Sequence, residues 1–150
     1  MISSREQDAL VRRTIYETFV ARGGPPTRAA VVLASGLDEE SVAASYERLA
    51  LRRAIVLDAV TGEVRMAMPF SAVPTAFRVR SVGVAWWANC AWDALGIAAA
   101  TGRDVEIVTD CPDCHERLVL RTVDGVPEEV PWVVHFLVPA ARWWDDIGFT

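Results

Sequence analysis

Residues 82–100, VGVAWWANCAWDALGIAAA, narrow the choice of folds more than any other part of this 150-residue chain. A run this long and apolar must either cross a bilayer or be buried in protein. Asp93 near its middle decides between them. A carboxylate at that depth costs roughly 2.5–3.5 kcal/mol on insertion scales, and Asn89 adds to the cost. The run is therefore expected as a buried or half-buried helix over 84–100 that carries a functional carboxylate, with no membrane partner.

The rest of the chain can bury such a segment. With 52% hydrophobic and 23% charged residues, and a mean hydropathy of +0.22, it gains more by burial than it loses in ordering, so disorder is excluded. Its length suits one compact domain or two small ones. A formal net charge of −5 argues against nucleic acid or an anionic membrane as the main partner. All fifteen basic residues are arginine, which reads as genomic composition bias. Cys90, Cys111 and Cys114 are too few for a secreted disulfide scaffold and leave an odd thiol, so a reducing cytosol fits better. The opening MISSREQDAL is not a signal peptide.

Charge divides the sequence. Residues 1–80 hold eleven Arg against nine Asp and Glu; residues 81–150 hold four against eleven, with all three cysteines, both histidines and all six tryptophans. The chemistry is expected in the second part. In the first, Ser4 is read as the cap of a helix over 5–21 with Leu10, Val11, Ile15, Phe19 and Val20 on one stripe, stopped at Gly23-Gly24. Thr27 starts a helix over 29–34, ended by Gly36. Asp38 caps a third over 39–53, with Val42, Tyr46 and Leu49 inward. Strands over 54–59 and 63–68 around Val60-Thr61-Gly62 complete a winged-helix-like pattern. Such modules often bind DNA, but Asp38, Glu39 and Glu40 would lead into the groove and phosphates repel them. A structural or dimerising role is expected instead.

The second part reads as α+β. Strands are expected over 77–82, 104–109, 118–122 and 133–138, a turn at Asp110 to His115, another at Asp124-Gly125, and a short helix over 140–146. Cys90 and Asp93, three apart on the expected helix, would share a face. In an aromatic pocket made by Trp86, Trp87 and Trp92 they could exchange a proton, with the carboxyl pushed up by desolvation. The same spacing also suits a cysteine used as a small apolar residue beside a solvent-facing aspartate. Cys111-Pro-Asp-Cys114 is a lone CxxC between strands: a zinc site needs a second pair, and a redox pair normally opens a helix. Soft-metal capture or a plain turn remains. His115 and His135 read as ordinary hydrogen-bonded histidines, and Trp143-Trp144 as core.

Met68-Pro69-Phe70-Ser71, then Pro74-Thr75, then Asn89-Cys90-Ala91-Trp92-Asp93-Ala94-Leu95-Gly96-Ile97 closely resemble the organomercurial (alkylmercury) lyase family, MerB. The likeness continues through Thr109-Asp110-Cys111 and Val138-Pro139 into the stretch from Arg142 to Thr150. It implies a winged-helix-like region (1–80) before a catalytic core (81–150) whose mixed sheet surrounds a central apolar helix. It assigns one catalytic thiol to Cys90 and the catalytic carboxyl to Asp93. Mercury is soft and prefers thiolate. Two thiolates weaken the carbon–mercury bond, and a carboxylic acid delivers a proton to the leaving carbon. The implied partner is an organomercurial small molecule. No cofactor is implied: mercury is substrate and product ion, and free thiol serves as reductant or acceptor.

The family pattern also implies a second catalytic cysteine, just after a Phe some way past the Val-Pro. Counting from Pro139 leads to Phe149 and Thr150, so that cysteine is expected as the very next residue. An in-frame UGA for selenocysteine read as stop would produce this ending, as would a shortened chain or a decayed gene, and turnover would then be impaired. The alternative is a binding module in which Cys90, Cys111 and Cys114 hold a soft ion or a mercurial without cleaving it. A winged-helix regulator loses on the acidic third helix and the net charge.

Overall fold

The computed structural model of the chain describes residues 2–148; Phe149 and Thr150 lie outside the described residues. Three helices open the fold. α1 (Ser4–Arg22) is capped by Ser3, one residue earlier than expected. Ser3 Oγ accepts the Glu6 N–H while the Glu6 carboxylate takes the Ser3 N–H, and that acid suits the positive end of the helix. α2 (Arg28–Ser35) starts on Thr27 and stops at Gly36; α3 (Glu39–Leu51) starts on Asp38, whose carboxylate accepts the Ser41 N–H at 2.7 Å. α3 ends two residues before the expected Arg53, which turns left-handed (φ 58°) while the Ala54 N–H closes back on Leu49 O. Val11, Ile15, Phe19, Val31, Val42, Tyr46 and Leu49 fill the space between the helices.

Asp8 of α1 is buried with them, and sequence periodicity does not announce it. Arg48 of α3 meets it with two nitrogens, at 2.6 and 2.9 Å, and Arg52 adds a contact at 3.3 Å. Burial works to raise the Asp8 carboxyl. The Arg48 and Ser45 hydrogen bonds and both arginine charges outweigh it, and hold the carboxyl below its ordinary value.

The sheet follows: β1 (Val56–Leu57), β2 (Val64–Ala67), β3 (Phe70–Ser71), β4 (Phe77–Ser81), β5 (Val84–Ala88), β6 (Glu106–Asp110), β7 (Arg117–Val123) and β8 (Val126–Pro127), with α4 (Ala91–Thr101) between β5 and β6. Its order is β1-β2-β3-β5-β4-β6-β7-β8. The architecture is α+β. The expected mixed sheet is instead antiparallel in every pairing among the described residues. Short connections account for the consecutive pairs; β5 and β6, joined through α4, run the same way but have β4 between them, so they do not pair. The charge boundary at 80/81 falls inside β4, and sheet and core continue across it.

Two expected elements are corrected. Residues 84–100 are not one helix, because the first five form β5. Ser81 pairs with Val84 across the two-residue turn Val82-Gly83, where Gly83 has φ 78°. A Gly-containing two-residue loop followed by a β-branched and aromatic run favours a hairpin over a helix. Residues 133–138 are no strand: Val133 is 90% exposed and Leu137 82%, and among the described residues no neighbouring strand pairs with them. Ala140–Asp145 form a short 3-10 helix. Arg53 lies over the Trp144 ring at 5.0 Å, tying it to the helical part. Trp144 and Trp143 are half-buried, not core. No helix among the described residues is long and apolar enough to cross a membrane.

The joint between helices and sheet is tight. Trp86 of β5 is fully buried and donates its indole N–H to Phe19 O at 2.7 Å, near the end of α1. Gly23, the left-handed cap of α1, lies so close to β5 that a Cβ would run into Ala85 O. Across the sheet Val79 stands opposite both Trp86 and Ile107, making a buried row through β5, β4 and β6.

Candidate active site

The strand-to-helix corner after β5 builds the site. Cys90 is the N-cap of α4, with extended backbone (φ −150°), and its sulfur accepts the Asp93 N–H at 3.5 Å. The thiol thus stands where Ser or Asp usually caps a helix, and Asp93 lies in the first turn beside it. This differs from two residues on one mid-helix face, but brings the same pair together.

Both are half-buried, and burial acts on both. It pushes the Cys90 thiol up, with the Asp93 charge adding to the effect and the Asp93 and Trp92 backbone N–H groups opposing it. It also pushes the Asp93 carboxyl up, against a hydrogen bond from Asn89. Asn89 Nδ2 donates to Asp93 Oδ2 at 2.9 Å and to Phe70 O at 3.3 Å, fixing the carboxyl to the β3 loop. Among the described residues its Oδ1 is buried with no partner. Asn89 is the residue that reading the sequence undervalued: its place in the resembling motif was visible, its hold on Asp93 was not.

A small pocket of about 50 Å³ opens on this corner, lined by Met66, Met68, Asn89, Cys90, Trp92, Asp93, Trp143 and Ile147. Two thioethers, two indoles and an aliphatic chain face one thiol and one carboxyl. Such a pocket can hold an apolar group against a soft nucleophile and a protonated acid. A more polar cleft with Arg65, Ser71 and Thr75 shares Met66, Asn89 and Ile147 with it.

The expected aromatic pocket is only partly formed. Trp92 lines the cavity and is 68% exposed. Trp86 instead faces Phe19 and Phe70 in the core, and Trp87 lies 4.4 Å from the Arg78 guanidinium. Trp143 takes part, held by its N–H to Val138 O and by the Phe136 ring at 5.0 Å.

Cys111 and Cys114 are elsewhere, on the turn between β6 and β7. Cys111 is half-buried and Cys114 exposed. The Cys114 and Asp113 backbone N–H groups hold the Cys111 thiol below its ordinary value. Among the described residues no three Cys, His, Asp or Glu side chains gather as a metal-ligand group, so these two do not join Cys90. His115 and His135 are exposed and line neither space.

Residues 70–150, just over half of the chain, match the model of the alkylmercury lyase family, MerB. A solved structure described as the mercury-bound form of MerB2 has the same fold, with a TM-score of 0.65 at 22% identity over 83% of this chain. This chain spans 59% of that one. No curated protein is similar enough to match.

Proposed function

The chain belongs to the alkylmercury lyase family, and from that premise we propose that it cleaves a carbon–mercury bond by protonolysis, with Cys90 as thiolate ligand and Asp93 as proton donor. The observation that carries the reading is their meeting at one corner of an apolar cavity, with burial favouring the protonated carboxyl.

The organic group lies against Met66, Met68, Trp92, Trp143 and Ile147. Cys90 gives up its proton to solvent as its sulfur bonds to mercury and displaces the mercurial's counter-ion; the backbone N–H groups at the start of α4 stabilise the developing thiolate. A second thiol, from free thiol or from the protein, adds electron density to mercury and weakens the bond to carbon. Asp93 then places its proton on the departing carbon, giving R–H, and the mercuric ion stays on sulfur. Asn89 keeps the acid aimed throughout. A reducing cytosol, where all three thiols stay free, suits this chemistry.

Gas chromatography of alkane from ethylmercury chloride with excess free thiol is the direct test. Alkane released by the native chain and lost in Cys90→Ser is the expected result. Stoichiometric mercury uptake with no alkane would replace the lyase with a mercurial-binding protein.

A further inference from the structure

The β6–β7 turn is built more firmly than a plain connection needs. Asp110 pairs with Arg117 at its mouth, where the Arg117 guanidinium also meets the Asp110 carboxylate at 3.1 Å. Inside, the Cys111 N–H donates to Glu116 O at 2.8 Å and the His115 N–H to Cys111 O at 3.0 Å, with His115 left-handed at φ 60°. Pro112 fixes its own φ between them. Within this closed loop the chain makes one tight α-type turn, closed by the His115 N–H on the Cys111 carbonyl, that sets Cys114 three residues after Cys111. The turn therefore holds the two cysteines on one short arc of backbone before anything binds, and Cys114 is open to solvent.

We propose that Cys111 and Cys114 form a separate, two-coordinate site for a thiophilic cation, outside the cavity. The donor set selects the occupant. A tetrahedral zinc site needs four ligands, and among the described residues no third Cys, His, Asp or Glu joins these two thiols, although Asp113 and His115 share the turn. Soft d10 ions of the mercuric type are satisfied by two thiolates. The step is Hg²⁺ plus two thiols giving a neutral bis-thiolate and two protons, with no change of oxidation state. Holding both thiols in one loop gives the second bond the advantage of an intramolecular contact over two free thiols. As a receiver for the ion that Cys90 would release, the site rests on the lyase reading; as a chelate it does not.

The test uses the reduced full chain, mercuric chloride as probe and excess 2-mercaptoethanol as competitor. Bound mercury is measured after dialysis, together with the ultraviolet thiolate-to-mercury band. Cys90→Ser, which removes the cavity thiol, is expected to retain one equivalent. Adding Cys114→Ser, an exposed change that leaves the turn's backbone bonds in place, should weaken retention by roughly 10²-fold or more. Neither protein should retain zinc under the same competition. No mercury on Cys90→Ser, equal retention by the double variant, or zinc bound as tightly as mercury would each overturn the proposal. Alkane release by the native chain is read separately, so failure of the lyase reading leaves this result standing.

Discussion

Asp8 and Asp93 are two carboxylates drawn out of water in one chain, and their surroundings push them in opposite directions. Asp8, wedged between α1 and α3, has two guanidinium groups on it and is held ionised. Asp93 has one amide, a thiol neighbour and an apolar wall, and is pushed toward its protonated form. Where the fold supplies a cation, a buried carboxylate is a brace. Where it withholds one, the carboxyl is left closer to its protonated form.

The sharpest way to break this comparison is to remove each acid in turn. Asp93→Asn keeps the shape and the helix but has no proton to deliver; alkane release should fall by about 10²–10⁴-fold. Mercurial binding should survive, and stability should hold or rise slightly. Equal loss of binding and turnover would make Asp93 a second brace. Asp8→Asn should do the reverse, costing roughly 1.5–3 kcal/mol in urea unfolding with alkane release per folded molecule unchanged. The cost stays in that range because Arg52, 62% exposed at its side chain, can return to water.

The two acids should also act at opposite ends of a stability–pH profile. The Asp8 carboxyl is lower folded than unfolded, so its contribution is present above the unfolded value and lost as pH falls through the folded one. The Asp93 carboxyl is higher folded, so its contribution is full below the unfolded value and lost as pH rises through the folded one. Urea midpoints across pH should therefore flatten on the acid side in Asp8→Asn and above the ordinary carboxylate range in Asp93→Asn. Flattening on the same side in both would erase the distinction.

The smallest effect refines the aim of the acid. Asn89→Leu removes the donor that draws Asp93 down, so its carboxyl should rise further and alkane release should persist to higher pH. About 1 kcal/mol of stability should go with the lost hydrogen bond. An unmoved pH profile would mean that the amide does not govern Asp93.

How much of this was legible in the sequence depended on how local the cause is. Thr27 and Asp38 lead their helices by one residue and act on the first turn, so both caps could be read directly. Residue type and motif single out Cys90 and Asp93 together, and the structure places both at one corner, on a helix that starts only at Ala91. Residues 84–100 are apolar at nearly every position, so a period of 2 and one of 3.6 fit them equally, and the hairpin turn at Gly83 was the deciding signal. Asp8 was invisible because Arg48 lies forty residues away and only packing brings them together. The pocket wall is scattered for the same reason: Met66 comes from β2, Trp92 from α4 and Ile147 from the turn after the 3-10 helix, and no spacing links them.

Gly23 sets a dimension in the molecule. With no side chain there, α1 seats directly against Ala85, and the Trp86 indole locks the fit three residues before Asn89. The helix end works like a gauge block, fixing how far along its axis β5 can slide before the chain turns the corner to the thiol. The width of the pocket is therefore a tolerance machined upstream, by residues that do not line it. Changing the lining alone would leave that tolerance untouched; a slight shift in the seat of α1 would resize the pocket without replacing one lining residue.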